Sequence, residues 1–429
     1  MSRALAIVLV AASTIVPLLY RTGWSDVFAA LKLGALWAVF GTCLLLLVVL
    51  VLCRGAQALT MDGPMLANVA LIAWIGCNLV AFACSIDRHQ SLFGERYWYQ
   101  GLLTVLLYAG FFLVARVAFN TPDRLWWLAA GVAAGGTLVG IVGIMQQMGA
   151  DPVFGIAPSE GRVFSTIGQP NSLAAYLVLT IATAAAFLAR PEPAVRAMAV
   201  VAIGVMSTTL ILTGSRGGYA GLIVGAVFAA IGLVWVSGAR PVHVLEGLML
   251  VALLGLGSYL TVAPIRTGVD RSWERTFASS TTRKGISNGF HLDLWHEGWR
   301  VSVDNPLLGT GQETFPLIFP DYARDLPDRT ERALNKFRIE SPHNVYLAIT
   351  AGTGFPALAS YLTLVASFVV CVLRAARRAV SRVTKTILVM FVAAISGHLV
   401  TDVFMTADLT TAWLTWLLMG AGLSAASNL

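Results

Sequence analysis

The chain has 429 residues, of which 57% are hydrophobic and only 12% charged, with a mean hydropathy of +0.76 and a formal net charge of +7. Soluble globular domains carry about 25% charged residues, so this composition excludes an ordinary water-soluble domain and fits a protein whose surface faces lipid. The positive charge does not point to nucleic acid, because no soluble segment interleaves a basic patch with aromatic residues.

A membrane-spanning helix needs about 20 mostly apolar residues. Taken in chain order, such runs fall at 4–20, 31–52, 64–83, 101–119, 125–147, 171–189, 196–213, 217–236, 243–263, 343–373, 385–402 and 409–426. They predict an all-α polytopic membrane protein with about twelve spans. The first run, behind Arg3, resembles a signal sequence but reads as an uncleaved first helix, because further spans follow and no convincing cleavage site is evident. The tenth run contains Gly352, Gly354 and Pro356 and is expected to break into a short helix and a full span. Cys43, Cys53, Cys77, Cys84 and Cys371 all lie in or beside apolar runs, which suits small buried hydrophobes and not a disulfide framework. No internal repeat is evident, which disfavours a transporter built from inverted repeats.

Orientation follows from the bias of Lys and Arg in short loops. With the N-terminus in the cytoplasm, the cytoplasmic side gains the cluster Arg374, Arg377, Arg378, Arg382 and Lys385, which reads as an orientation anchor against anionic lipid. The chain then divides into helices over 1–263, one large periplasmic loop over 264–342, and helices over 343–429. The loop balances its Lys and Arg with Asp and Glu and carries Trp273, Trp295 and Trp299, with a helical stretch near 289–303. That composition describes a packed cap and not a disordered linker.

The unusual polar motifs converge on the loop side. "GRVFSTIGQPN" (161–171) places Arg162, Gln169 and Asn171 at the mouth of the sixth span, where Pro170 opens the helix. These groups suit a sugar or a phosphate, although a plain helix cap explains much of the pattern. "TGSRGG" (213–218) sets Arg216 in a tight turn between two apolar helices; its guanidinium fork matches phosphate oxygens, and the alternative is a snorkelling interfacial arginine. In "SPHN" (341–344), Ser341 is expected to cap the tenth helix and Pro342 to open it, with His343 in the first turn and Asn344 beside it. A helix N-terminus disfavours imidazolium, so His343 is expected to be neutral and able to act as a general base; the bland alternative is a histidine that bonds a neighbour. In "FHLDLWHEGWR", His291, Asp293, His296 and Glu297 lack the HExxH spacing, and an amphipathic helix with its tryptophans packed downward is the better reading. Arg300 on that helix remains within reach of a phosphate. Asp402 and Asp408 fall on the same side, and few polar residues lie at mid-membrane.

The order "TGSRGG", a long loop carrying "LWHEGWRVSVDNPLLGTGQETF", and then "SPHNVYLAI" resembles the bacterial O-antigen ligase superfamily, most specifically from His291 to Leu347. The resemblance implies a glycosyltransferase-C-like enzyme of the bacterial inner membrane, working on the periplasmic side without a metal or other cofactor. It would move a glycan from undecaprenyl pyrophosphate to a sugar of the lipid A–core, with His343 as the catalytic base and Arg216 on the pyrophosphate. O-antigen polymerases and pilin-type protein O-oligosaccharyltransferases are close relatives with other acceptors, and a lipid or solute transporter is the rival from another class. The family carries an arginine about four residues before the loop tryptophan. Here His291 precedes Trp295, so Arg266, Arg275 and Arg300 become candidates for that cation.

Overall fold

The computed structural model describes residues 2–55, 63–153, 161–238, 259–273, 287–323 and 339–428. Among them the fold is all helical, with no strand. The helices are α1 (Ser2–Ile15), α2 (Ala29–Arg54), α3 (Met65–Ala83), α4 (Arg88–Phe93), α5 (Leu102–Ala118), α6 (Pro122–Gln147), α7 (Pro170–Ala185), α8 (Pro193–Leu212) and α9 (Arg216–Ser237). Then come α10 (Ala263–Trp273), α11 (Ser287–Asp304), α12 (Phe315–Tyr322), α13 (Val345–Arg378), α14 (Arg382–Thr401) and α15 (Leu409–Ser427). Nine of the described helices are long and apolar enough to cross a membrane, and α1 with its 3-10 extension and α5 are shorter apolar helices. The expected span at 243–263 falls largely outside the described residues.

α7, α14 and α15 form the centre of the bundle, while α2 and α9 keep most of their surface outward. α14 packs along α9 and α7, α13 along α3, α15 along α5, and both α1 and α8 against α6. The first helix is part of this core, with Leu5, Ala6 and Leu9 fully buried. Lipid tails give no hydrophobic push between helices, so small residues that let backbones approach must supply the contact. At the α9–α14 crossing, a Cβ on Gly221 would meet the Gly397 carbonyl oxygen at 2.6 Å, and one on Gly397 would meet the Gly221 oxygen at 2.7 Å. All five cysteines are free; only Cys43 is buried, Cys77 and Cys371 are half-buried, and Cys53 and Cys84 face outward, so the expectation of five buried cysteines holds fully for Cys43 alone.

The expected break in the tenth span is present: inside α13, Gly354 has φ +81° and Pro356 follows it. A broken helix frees backbone groups that an apolar bundle cannot satisfy with water. The loop after α11 supplies the partners. Thr310 N donates to Ala351 O at 2.9 Å, Gly311 N to Gly352 O at 2.9 Å, and Phe355 N to Pro306 O at 2.8 Å. The loop reaches α3 through Gln312, whose Nε2 donates to Asn78 O at 2.8 Å, and α4 through Ser91 Oγ, which donates to Gln312 O at 3.1 Å. Gly309 makes the insertion possible: its φ is +62°, and a Cβ there would lie 2.3 Å from Gly352 C.

Gly309→Ala combines a left-handed backbone with a backbone clash and is expected to cost about 2 kcal/mol or more. Gly149→Ala, also at positive φ (+80°) but with nothing within 4 Å, is the control and should cost only about 1 kcal/mol. Thermal unfolding of the two variants in detergent compares them directly; equal midpoints would mean that the loop does not hold the break.

Candidate active site

α11 lies against the start of α13, where a Cβ on Gly298 would meet Pro342 Cβ at 2.9 Å. The local chain does not follow the expected capping. Asn344, not Ser341, is the N-cap of α13: its Oδ1 accepts from Tyr346 N at 3.0 Å and Leu347 N at 3.1 Å. Asn344 is thus occupied by the helix end. His343 stands just before the helix instead of in its first turn, at φ +50°, with its N–H donating to Ser341 Oγ at 3.1 Å. Asn is as good a cap as Ser, and choosing it shifts the helix start past the histidine. A non-glycine residue held at positive φ is a strained position that the surroundings must enforce.

Two side chains meet the ring, and Ser341 bonds one of them. The His343 and His291 rings meet edge to face at 5.6 Å, and Thr406 Oγ1 lies 3.3 Å from His343 Nδ1. Thr406 also bonds Ser341, so the hydroxyls brace the histidine from behind. Burial, and secondarily the His291 ring, push the His343 pKa down to about 4. Burial also lowers that of His291. The expectation of a neutral His343 holds, but desolvation supplies it and not a helix terminus.

Trp295 packs on Phe404, with ring centroids 5.9 Å apart. A Cβ on Gly217 would touch Phe404 Cβ at 3.0 Å. Phe404 therefore joins three parts of the sequence: the α9 start with Arg216, the Trp295 face of α11, and the connection leading to Thr406. Arg216 is exposed as the first residue of α9, capped by Ser215 Oγ accepting from Gly218 N at 3.3 Å. Arg162 ties the two neighbouring motifs, with Nε donating to Thr213 O at 2.6 Å and Nη2 to Asn171 Oδ1 at 2.8 Å. Gln169 caps α7 through Ser172 N at 2.7 Å, and Pro170 opens it as expected.

The loop cations divide. Arg300 bonds Glu297 at 2.9 Å and lies over the Tyr322 ring at 5.6 Å, so its fork serves the cap's own packing. Arg266 is exposed on α10, which rests on the ends of α6 and α8; Gln147 Nε2 donates to Pro264 O there at 2.8 Å. Arg275 lies outside the described residues. His296 pairs with Glu297 at 2.9 Å, and among the described residues no group of three or more His, Cys, Asp or Glu is placed to hold a metal ion.

Sequence reasoning missed the polar interior beside this histidine. Glu313, Glu340, His398, Gln312 and Asn78 join the anticipated Asp402 and Asp408 around a cavity of about 140 Å³. Asn78, His398 and the fully buried Lys32 also show that polar residues inside the bundle are more numerous than expected. The i,i+4 spacing of His398 and Asp402, now 3.5 Å apart, was the available signal. Glu313 sits at φ +56°, with Oε2 accepting from Glu95 N at 2.7 Å, and burial pushes its carboxyl up to about 7.

No curated protein matches the chain. Residues 201–362, which run from α8 through Arg216, the loop and His343 past the break in α13, match the O-antigen ligase family, and this match supports the chain's place in the O-antigen ligase superfamily.

Proposed function

We propose that the protein is a lipid-linked glycan ligase that moves an O-antigen glycan from undecaprenyl pyrophosphate to a sugar hydroxyl of the lipid A–core. The carrying observation is a neutral, desolvated histidine fixed at the loop end of the bundle, joined through Phe404 to an arginine-bearing turn. The acceptor hydroxyl attacks the anomeric carbon and gives its proton to His343. The new glycosidic C–O bond forms as the bond from the anomeric carbon to the pyrophosphate oxygen breaks, and undecaprenyl pyrophosphate leaves with the electron pair. In-line attack inverts the anomeric centre. Arg216 stabilises the charge that grows on the leaving pyrophosphate, with Arg162 and Arg266 on the flank that faces the donor. Arg216 does this as a fixed fork of donors, so this proposal needs no metal. Trp295 and His291 close the site over the sugar, and the lipid-exposed surface of the bundle seats both lipid-borne substrates in the inner membrane with the loop in the periplasm.

The test uses purified protein in detergent with undecaprenyl-pyrophosphate glycan, chelator, and either lipid A–core or a pilin acceptor. His343→Ala should lower kcat by about 10²–10⁴-fold. Arg216→Ala should lower kcat/KM for the donor by about a hundredfold. Full activity in both variants would sink the mechanism, and transfer to pilin alone would move the acceptor from lipid to protein.

The pH profile gives an independent check. His343 has a lowered pKa, so its neutral form persists as pH falls through 6.5 and is lost only near pH 4. Transfer should therefore survive at pH 5.5. His291→Ala removes a like charge, raises the His343 pKa and should move the acid limb to higher pH, as initial rates of the two proteins across pH 4–8 will read. An unmoved limb would exclude His343 as the titrating group.

A further inference from the structure

Burial makes His343 a poor place to leave a proton. Its pKa is pushed down to about 4, so an imidazolium formed during transfer is disfavoured at neutral pH. A proton enters one ring nitrogen more easily if another leaves from the second, because the ring then stays neutral.

The second nitrogen has a hydroxyl partner. Nδ1 lies 3.3 Å from Thr406 Oγ1, which is hydrogen-bonded in turn to Ser341 Oγ. Two orders satisfy this chain. In one, Nδ1–H donates to Thr406 and Thr406 donates to Ser341. In the other, Ser341 donates to Thr406 and Thr406 donates to Nδ1. In both, the backbone N–H of His343 donates to Ser341 Oγ at 3.1 Å and holds that hydroxyl in place. A hydroxyl both donates and accepts, so the first order becomes the second by passing a proton outward. The passage exchanges the two neutral tautomers of His343.

The far end of the chain opens on the cavity. Ser341 and Thr406 both line its space of about 140 Å³, among α3, α5, α13, α14 and α15. A polar space of that size accommodates water. Its described wall carries four carboxyl groups. Asp402 pairs with His398 at 3.5 Å, and Asp408 caps α15 with Lys32 nearby. Burial pushes the Glu313 carboxyl up to about 7, so it is largely protonated in mildly acidic solution; Glu95 and Glu340 lie near it. Glu340 directly precedes Ser341 in the chain, is half-buried, and accepts from Trp98 Nε1.

We propose that Thr406, Ser341 and Glu340 form a proton exit for His343. It rests on the proposed function and adds to it where the proton goes. The acceptor hydroxyl gives its proton to Nε2 as the new glycosidic bond forms. The Nδ1 proton passes to Thr406 Oγ1, the Thr406 proton to Ser341 Oγ, and the Ser341 proton through cavity water to the Glu340 carboxylate. One proton enters the ring and one leaves it. After the product departs, the Nε2 proton goes to solvent and Glu340 returns its proton along the same chain, which resets it.

The test measures initial rates of full-length protein in detergent, with undecaprenyl-pyrophosphate glycan and the acceptor it uses. Thr406→Val is close to isosteric and removes the hydroxyl. It should lower kcat by about tenfold or more with both KM values unchanged, and Thr406→Ser should keep most of the wild-type rate. In mixtures of H2O and D2O, the wild-type rate should fall along a curve as the D2O fraction rises, because several protons move together. The Thr406→Val rate should fall along a straight line. Glu340→Gln should also lower kcat, and the double variant should lose no more than the worse single one, because both residues lie on one route. Thermal unfolding shows which variants are folded, and either single variant suffices if the other is not. Full kcat in a folded Thr406→Val or Glu340→Gln protein overturns the exit. So do losses that multiply in the double variant, a loss that Thr406→Ser shares, or a straight line in the wild type. A wild-type protein that transfers glycan to no acceptor removes the ligase reading and the exit with it. Wild-type transfer that ignores these variants removes the exit alone.

Discussion

A helix broken inside an apolar bundle must have its freed backbone groups met by protein, and the rest of this structure is arranged around that requirement. Gly354 and Pro356 open α13, and the 306–311 segment closes the opening with three backbone hydrogen bonds. That same segment carries Gln312 and Glu313 into the bundle, where they reach Asn78 and the backbone of Glu95. It also anchors the C-terminal end of α11, the helix that brings His291 and Trp295 over His343 and Phe404. The loop is thus not an appendage to the membrane helices. It completes one of them, and the candidate site forms at the seam.

The second organising feature is the burial of His343. Arg216 and the Arg162–Asn171–Thr213 ties lie at the starts of α7 and α9, and Glu313, Glu340, Asp402 and Asp408 line the neighbouring cavity. Burial dominates the environment of the ring and disfavours its charged form, with His291 acting in the same direction.

Much of this was legible in the sequence, and the reasons differ by residue. Span positions followed from apolar runs, because a lipid-facing helix has no other solution. The break in α13 followed from glycine and proline, which act locally. Arg216 and His343 stood out as candidates because short polar motifs interrupt apolar sequence at helix ends. Pro170 opened α7 as its type dictates, and Gln169 proved to be the cap that the pattern also allowed.

The amino-acid sequence by itself determined an all-helical, multi-pass chain and the break in α13, and it singled out Arg216 and His343 as candidates, since each depends on composition or on residues a few positions apart. Only the tertiary structure decided what these loop side chains meet: it committed Arg300 to Glu297 and Tyr322 and put His291 on His343. It also decided that Asn344 and not Ser341 caps the helix, which moved His343 out of the helix and onto strained backbone. The acidic cavity was invisible for the same reason. Asn78, Gln312, Glu340, His398 and Asp408 come from five separate segments, and what one does to another depends on distance and on the water excluded between them, which sequence order does not encode.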